Sequence, residues 1–172
     1  MHNMKAFEAS LKPHLKLKDY PFAVDFSAHI PIYDGDQLRT LDAHNKAQVQ
    51  AEWAQCLQLG AGVFVVRQLY DQVAAVDAAT EVFYQLLHEQ NKNPQTNGDH
   101  FAAQGVNGRI WNCLEKLAVT QPQAFIDYYK NPLLAQVCES WLGPDYQLTS
   151  QVNLVYPGGA AIVCVLFDAL DT

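Results

Sequence analysis

Residues 146–155 alternate two kinds of side chain without a break. Tyr146, Leu148, Ser150, Val152 and Leu154 fall on one side of an extended chain, and Gln147, Thr149, Gln151 and Asn153 on the other. Successive Cβ atoms of a strand point to opposite faces, so the pattern predicts a β-strand with one face toward a core. Pro157-Gly158-Gly159 then turns the chain. Composition alone favours the solvent side of a half-exposed antiparallel strand for the polar set. The alternative is the inner wall of a barrel, where amide and hydroxyl groups would orient a carboxylate or a bound water.

Upstream of this segment the periodicity is helical. Residues 45–59 are rich in Ala and Gln, and Val49, Trp53, Cys56 and Leu57 share a helical face that Gly60 and Gly62 end. Residues 63–66 form a short β-branched and aromatic run, which predicts a buried strand. Asp71 can cap a second helix that turns Val73, Val76, Val82, Phe83, Leu86 and Leu87 inward and ends in a polar loop at 91–98. Asn107-Gly108 is turn-like, and Ile110, Trp111, Leu114 and Leu117 follow at helical spacing. Pro122 sits at a first-turn position ahead of Phe125, Ile126 and Tyr129. Asn131-Pro132 is a cap followed by a first-turn proline, for a helix carrying Leu134, Val137, Cys138 and Trp141 that Gly143-Pro144 ends. Residues 1–45 read as irregular, interrupted by Pro13, Pro21 and Pro31, with Asp34-Gly35-Asp36 as a turn.

These elements define an α+β chain. Its 172 residues match one ordinary domain, and no linker or repeat divides them. An apolar fraction of 49% and a charged fraction of 17% are globular and argue against disorder. The formal net charge of -7 provides no footprint for nucleic acid or for an anionic membrane. There is no signal-peptide core and no apolar run of membrane-spanning length, so the expected location is cytoplasmic. Cys56, Cys113, Cys138 and Cys164 form no C-x-x-C pair and read as reduced core thiols rather than a zinc or redox motif.

No complete catalytic motif is present. A mononuclear non-haem iron site needs two imidazoles and a carboxylate, in the common form as His-x-Asp plus a distant His. None of His2, His14, His29, His44, His88 and His100 has Asp or Glu two residues on. Asp42-Ala43-His44 has the spacing reversed and reads as a capping aspartate beside a surface histidine. There is no G-x-S-x-G elbow and no Walker loop. Gly60-Ala61-Gly62 precedes a strand instead of following one, so it is not a dinucleotide fingerprint. Trp111 and Arg109 could sit near the polar wall, although by residue type Trp111 reads as core and Arg109 as a surface charge or helix-end donor.

Four stretches occur in a suggestive order: GVFVVRQLYD (62–71), GRIWNCLEKLA (108–118), YYKNPLLAQVCESWLGPDYQ (128–147) and TSQVNLVYPGG (149–159). Together they resemble the N-terminal half of the phytanoyl-CoA dioxygenase family, the Fe(II)- and 2-oxoglutarate-dependent hydroxylases that include ectoine hydroxylase, over residues 30–159. The resemblance implies a helical N-terminal region packed on a double-stranded β-helix, a cupin-like jelly roll, here incomplete. It implies hydroxylation of a small organic or acyl substrate. In ectoine hydroxylase-like members a Gln-x-x-x-Asn pattern on the matching strand contacts 2-oxoglutarate. Asn153 matches the Asn, Thr149 stands where the Gln would be, and Gln151 shares their face, so these three are the implied co-substrate residues.

The family follows Pro-Gly-Gly within about ten residues by His-x-Asp, and this chain has AAIVCVLFDALDT instead. Asp168 and Asp171 therefore have no histidine partner. The change of composition after Gly159 leads us to expect a truncated family member, through a frameshift, a pseudogene or a mispredicted reading frame, with a deliberately shortened regulatory protein as the alternative and residues 160–172 as an aberrant tail. No catalytic or metal-ligating residue is assigned, neither Fe(II) nor 2-oxoglutarate is expected to bind stoichiometrically, and this chain alone is expected to be inactive. An open sheet edge is expected to favour self-association. The rival expectation is a non-catalytic binding or assembly module.

Overall fold

A computed structural model describes residue 4 and residues 16–92, 108–149 and 152–156. Gln151, the polar loop from 93 onward and the tail at 160–172 lie outside the described residues. The chain is mixed α+β and divides into two compact units. The first comprises residues 1–71 and 132–146, the second residues 72–131 and 147–172.

The first unit holds a three-stranded sheet in the order β1 (Asp25–Ser27), β2 (Ile30–Asp34), β3 (Val65–Arg67). β1 and β2 are antiparallel, and β2 and β3 are parallel with Ile32 opposite Val65. Ala28 and His29, with φ of 49° and 66°, make the β1–β2 connection in the left-handed conformation that tight hairpin turns require. Parallel strands need a long crossover, supplied here by α1 (Gly35–Thr40) and α2 (Ala43–Leu59). A later helix, α6 (Pro132–Leu142), packs on α2.

Residues 16–45 are thus more regular than their prolines suggest. Pro31 lies inside central strand β2, but the parallel ladder with β3 begins only at Ile32, so it deprives that ladder of no donor. Asp34-Gly35-Asp36 is not a free turn but the start of α1. The Asp34 carboxylate accepts the backbone N–H groups of Asp36 at 2.8 Å and Gln37 at 3.2 Å, satisfying donors that a first turn leaves open. Asp42 caps α2 in the same way, through the N–H of Asn45 at 2.8 Å. Gly60 and Gly62 both donate their N–H groups to the Cys56 carbonyl and end α2, with Gly62 at φ 71°. The core of this unit is Tyr33, Leu38, Val49, Trp53 and Leu133. Trp53 lies flat against Phe64, ring centroids 5.3 Å apart, and meets the Tyr33 ring edge-on at 5.8 Å.

The run at 63–66 is not a buried strand. Val63 and Val65 are exposed, and Phe64 and Val66 carry its packing, because β3 is an outer strand of the described sheet, covered on one face only. Trp141 and Val73 are exposed too, while Leu133 takes the buried place on α6.

The second unit contains α3 (Val73–Lys92), β4 (Gly108–Ile110), α4 (Cys113–Thr120), α5 (Pro122–Tyr129) and β5 (Leu154–Tyr156). Ala79 and Val82 of α3 meet Leu117 and Ala124, and Leu87 meets Ile110, Cys113, Leu114 and Val152. β4 and β5 form an antiparallel two-stranded ribbon with Ile110 opposite Leu154. Ile110 and Trp111 therefore belong to a strand and its turn, and the helix begins later, at Cys113.

Among the described residues, the strand expected over 146–155 is seen at Leu154–Tyr156. Residues 146–149 and 152–153 are not strand. Alternation makes a strand possible, but a ladder needs a partner, and β4 has three residues. Ahead of it, the Val152 carbonyl accepts the Cys113 N–H at 2.8 Å and so serves the start of α4. Val152 and Leu154 do pack against the helices, as the alternation predicts. Among the described residues no helix is long and apolar enough to cross a membrane.

Candidate functional site

The β4–β5 ribbon has one face on the core, through Ile110 and Leu154. The alternation of β4 puts Arg109 on the other face, opposite residue 155. Its guanidinium lies 4.9 Å from the centre of the Trp111 ring, which is 44% exposed. Trp111 is therefore not a core residue. A guanidinium over an indole gains a cation–π attraction of about 0.5–1 kcal/mol at a partly exposed site.

Asn153 joins this cluster through the backbone. Asn112 is in the left-handed conformation, φ 51°, and aims its N–H at the Asn153 Oδ1, 3.1 Å away. The bond fixes which end of the carboxamide is oxygen and leaves Nδ2 as the donor that Asn153 can offer. The ribbon thus carries a half-buried guanidinium over an exposed indole, and the segment leading into β5 carries a carboxamide at the start of α4; these are group types suited to a small carboxylate. Thr149 is half-buried and outside the ribbon ladder, and Gln151 lies outside the described residues. The sequence signal for Asn112 is slight: an Asn after an aromatic residue and before an apolar helix.

An iron triad does not fit the described donor set. Among the described residues no group of three His, Cys, Asp or Glu side chains could hold a metal ion. His29 packs edge-on to Phe26, His44 pairs with Gln48 on α2, and His88 stands on α3. Cys56, Cys113 and Cys138 are buried free thiols, and burial pushes each above the ordinary thiol range, away from the reactive thiolate.

One buried ionisable group escaped the sequence reading. Glu52 is 9% exposed, on the apolar face of α2 between Val49 and Cys56. Its Oε1 accepts the Tyr33 hydroxyl at 2.8 Å, and its Oε2 faces the Phe22 N–H at 3.4 Å. Among the described residues it has no cationic partner. Burying an uncompensated carboxylate costs several kcal/mol, whereas a hydrogen bond to a charged group returns about 1.5–3 kcal/mol. Desolvation wins, and burial raises the Glu52 carboxyl above its ordinary value against the lowering effect of Tyr33 and Phe22. Burial, then the Glu52 partner, drives the Tyr33 phenol far up. Tyr20 is pushed up to about 12 by burial and then by Cys56. The signal was available: Glu52 stands three residues after Val49 and four before Cys56, within the apolar stripe.

The fold is a mixed α+β arrangement whose candidate site is a surface cluster on a two-stranded ribbon. Comparison with models of protein families, with curated proteins and with solved structures gives no match.

Proposed function

We propose that this chain is a phytanoyl-CoA dioxygenase-like polypeptide that carries part of the wall for 2-oxoglutarate. The observation that carries the reading is the position of Asn153. The resemblance assigns this residue to the co-substrate, and it lies beside the start of α4 with Nδ2 left to donate, near the ribbon that presents Arg109 and Trp111. Further support is the order of the four resembling stretches along the sequence. In this reading Arg109 supplies positive charge, Trp111 an apolar flank and Asn153 a donor.

These 172 residues contain no His-x-Asp. With Fe(II), ascorbate and 2-oxoglutarate, the purified chain should release no succinate above a no-protein control. Iron-dependent succinate would overturn the loss of the iron site. A partial wall without metal should bind 2-oxoglutarate only weakly, with Kd of about 1 mM or above, corresponding to about -4 kcal/mol or less favourable. Titration followed by the fluorescence of exposed Trp111 should show this binding, and Arg109→Gln and Asn153→Ala should each weaken it. Identical titrations for all three proteins, or no response to 2-oxoglutarate, would refute the assignment of the wall and favour a non-catalytic module.

A further inference from the structure

The Glu52 carboxyl stands apart from the ribbon and from any role given to it above. It sits where three pieces of the first unit meet. It belongs to α2, receives the hydroxyl of Tyr33 from β2, and faces the backbone N–H of Phe22 in the segment leading to β1. That segment is also held by the Ala23 N–H on the Tyr20 carbonyl and the Val24 N–H on the Ile32 carbonyl, at 3.0 and 2.8 Å, by the buried Tyr20 ring stacked on Phe26, and by Phe22 and Ala23 packed on the core. One side chain thus bridges the helix, the central strand and the incoming chain.

We propose that Glu52 is a proton-operated latch, which in its neutral form closes the segment at 20–24 and β2 onto α2, and whose ionisation loosens that closure. The groups around it bring no compensating charge. β2 contributes Tyr33, the incoming segment contributes Tyr20, and α2 itself contributes Cys56 one turn on. α6, packed on the same helix, brings Cys138, a buried thiol, and Glu139, which is exposed and holds the Gln50 amide at 3.2 Å. Neutral phenols and thiols cannot balance a carboxylate. A neutral carboxyl, by contrast, shares a hydrogen bond with Tyr33 at no cost in buried charge. Ionisation can be relieved by admitting water, and the short segment after the 3-10 turn at Leu17–Asp19 is the element with least secondary structure to lose.

The sign follows from linkage. The folded carboxyl titrates above its ordinary value of 4.5, so its contribution is complete below that pH and is lost as pH rises toward the folded value. Glu52→Gln is neutral at every pH and keeps an acceptor for Tyr33. Urea unfolding of the full chain and of this variant between pH 4 and 8 gives the ratio of their folding constants. The ratio of wild type to variant should fall about tenfold per pH unit above the ordinary carboxyl value, then level off at the folded value. Tyr33→Phe removes a donor to the carboxylate and should move the levelling point to higher pH. Should a variant fail to fold, the wild type still decides the question. Its Glu52 carboxyl carbon should titrate above the ordinary range by NMR, and the Phe22 amide should exchange faster, beyond the intrinsic pH effect, across that same titration. A ratio that is flat or rises with pH, a normal titration of Glu52, or Phe22 protection that ignores it would overturn the latch.

Discussion

Gly35 is the position where one added methyl group tests the packing most directly. It opens α1 directly after β2, and an added Cβ would stand 2.3 Å from the Gln68 carbonyl oxygen, 2.8 Å from its carbon and 2.9 Å from the Arg67 oxygen. All three are backbone atoms at the end of β3, so no rotamer change relieves the clash. Ordinary contact requires moving that backbone by about 1 Å, and overpacking of this kind costs about 1–3 kcal/mol. The shift also pulls on Arg39, whose guanidinium holds the Gln68 carbonyl at 2.7 Å and the Leu69 carbonyl at 3.3 Å. Loosening these charged hydrogen bonds brings the expected total for Gly35→Ala to about 2–4 kcal/mol of destabilisation. Helix propensity acts in the opposite direction: alanine is better than glycine inside a helix by about 1 kcal/mol, and by less at the first position. The two effects differ in sign, so urea unfolding separates them. Trp53, fully buried beside Phe64, reports on this unit through its fluorescence. A clearly lower urea midpoint is expected. A midpoint equal to or above that of the parent chain would refute the close approach of α1 and β3.

In the second unit, Leu117 is fully buried against α3 and α5, and Leu117→Ala should cost about 2–5 kcal/mol by urea unfolding followed by circular dichroism. At the β1–β2 hairpin, His29→Gly should raise stability by about 1 kcal/mol, because glycine adopts φ 66° without the steric cost a side chain meets there; a loss of stability would argue against the left-handed turn. Residues 160–167 are apolar, uncharged and rich in β-branched side chains, so deleting 160–172 should reduce concentration-dependent light scattering, and equal scattering by the two proteins would remove the tail as the cause of self-association.

Helix ends were legible in the sequence because their chemistry is local. Asp42, Gly60 with Gly62, Pro122, Pro132 and Gly143 each act within one turn of their own backbone, and each stands at the predicted end. The inward faces of α2 and α3 were largely legible for the same reason, since periodicity needs no knowledge of the partner. The class of the fold, mixed α+β, follows from these local patterns together.

The partners, by contrast, were decided only in three dimensions. Nothing local to Pro31 says that a parallel neighbour starts one residue later, so β2 was hidden behind a proline. Among the described residues the alternation at 146–155 pairs with β4 at Leu154–Tyr156, while Val152 and Asn153 turn their oxygens to the start of α4. Trp111, an aromatic residue at an apolar-looking spacing, stands exposed in the turn after β4 with the Arg109 guanidinium over its ring. Glu52 was visible as an acid in an apolar stripe, but its environment was set by Tyr33 and Phe22, which lie 19 and 30 residues away. Backbone conformation at a helix end is governed by neighbours along the chain. Strand pairing, burial of charge and side-chain exposure are governed by neighbours in space, and those exist only once the chain has folded.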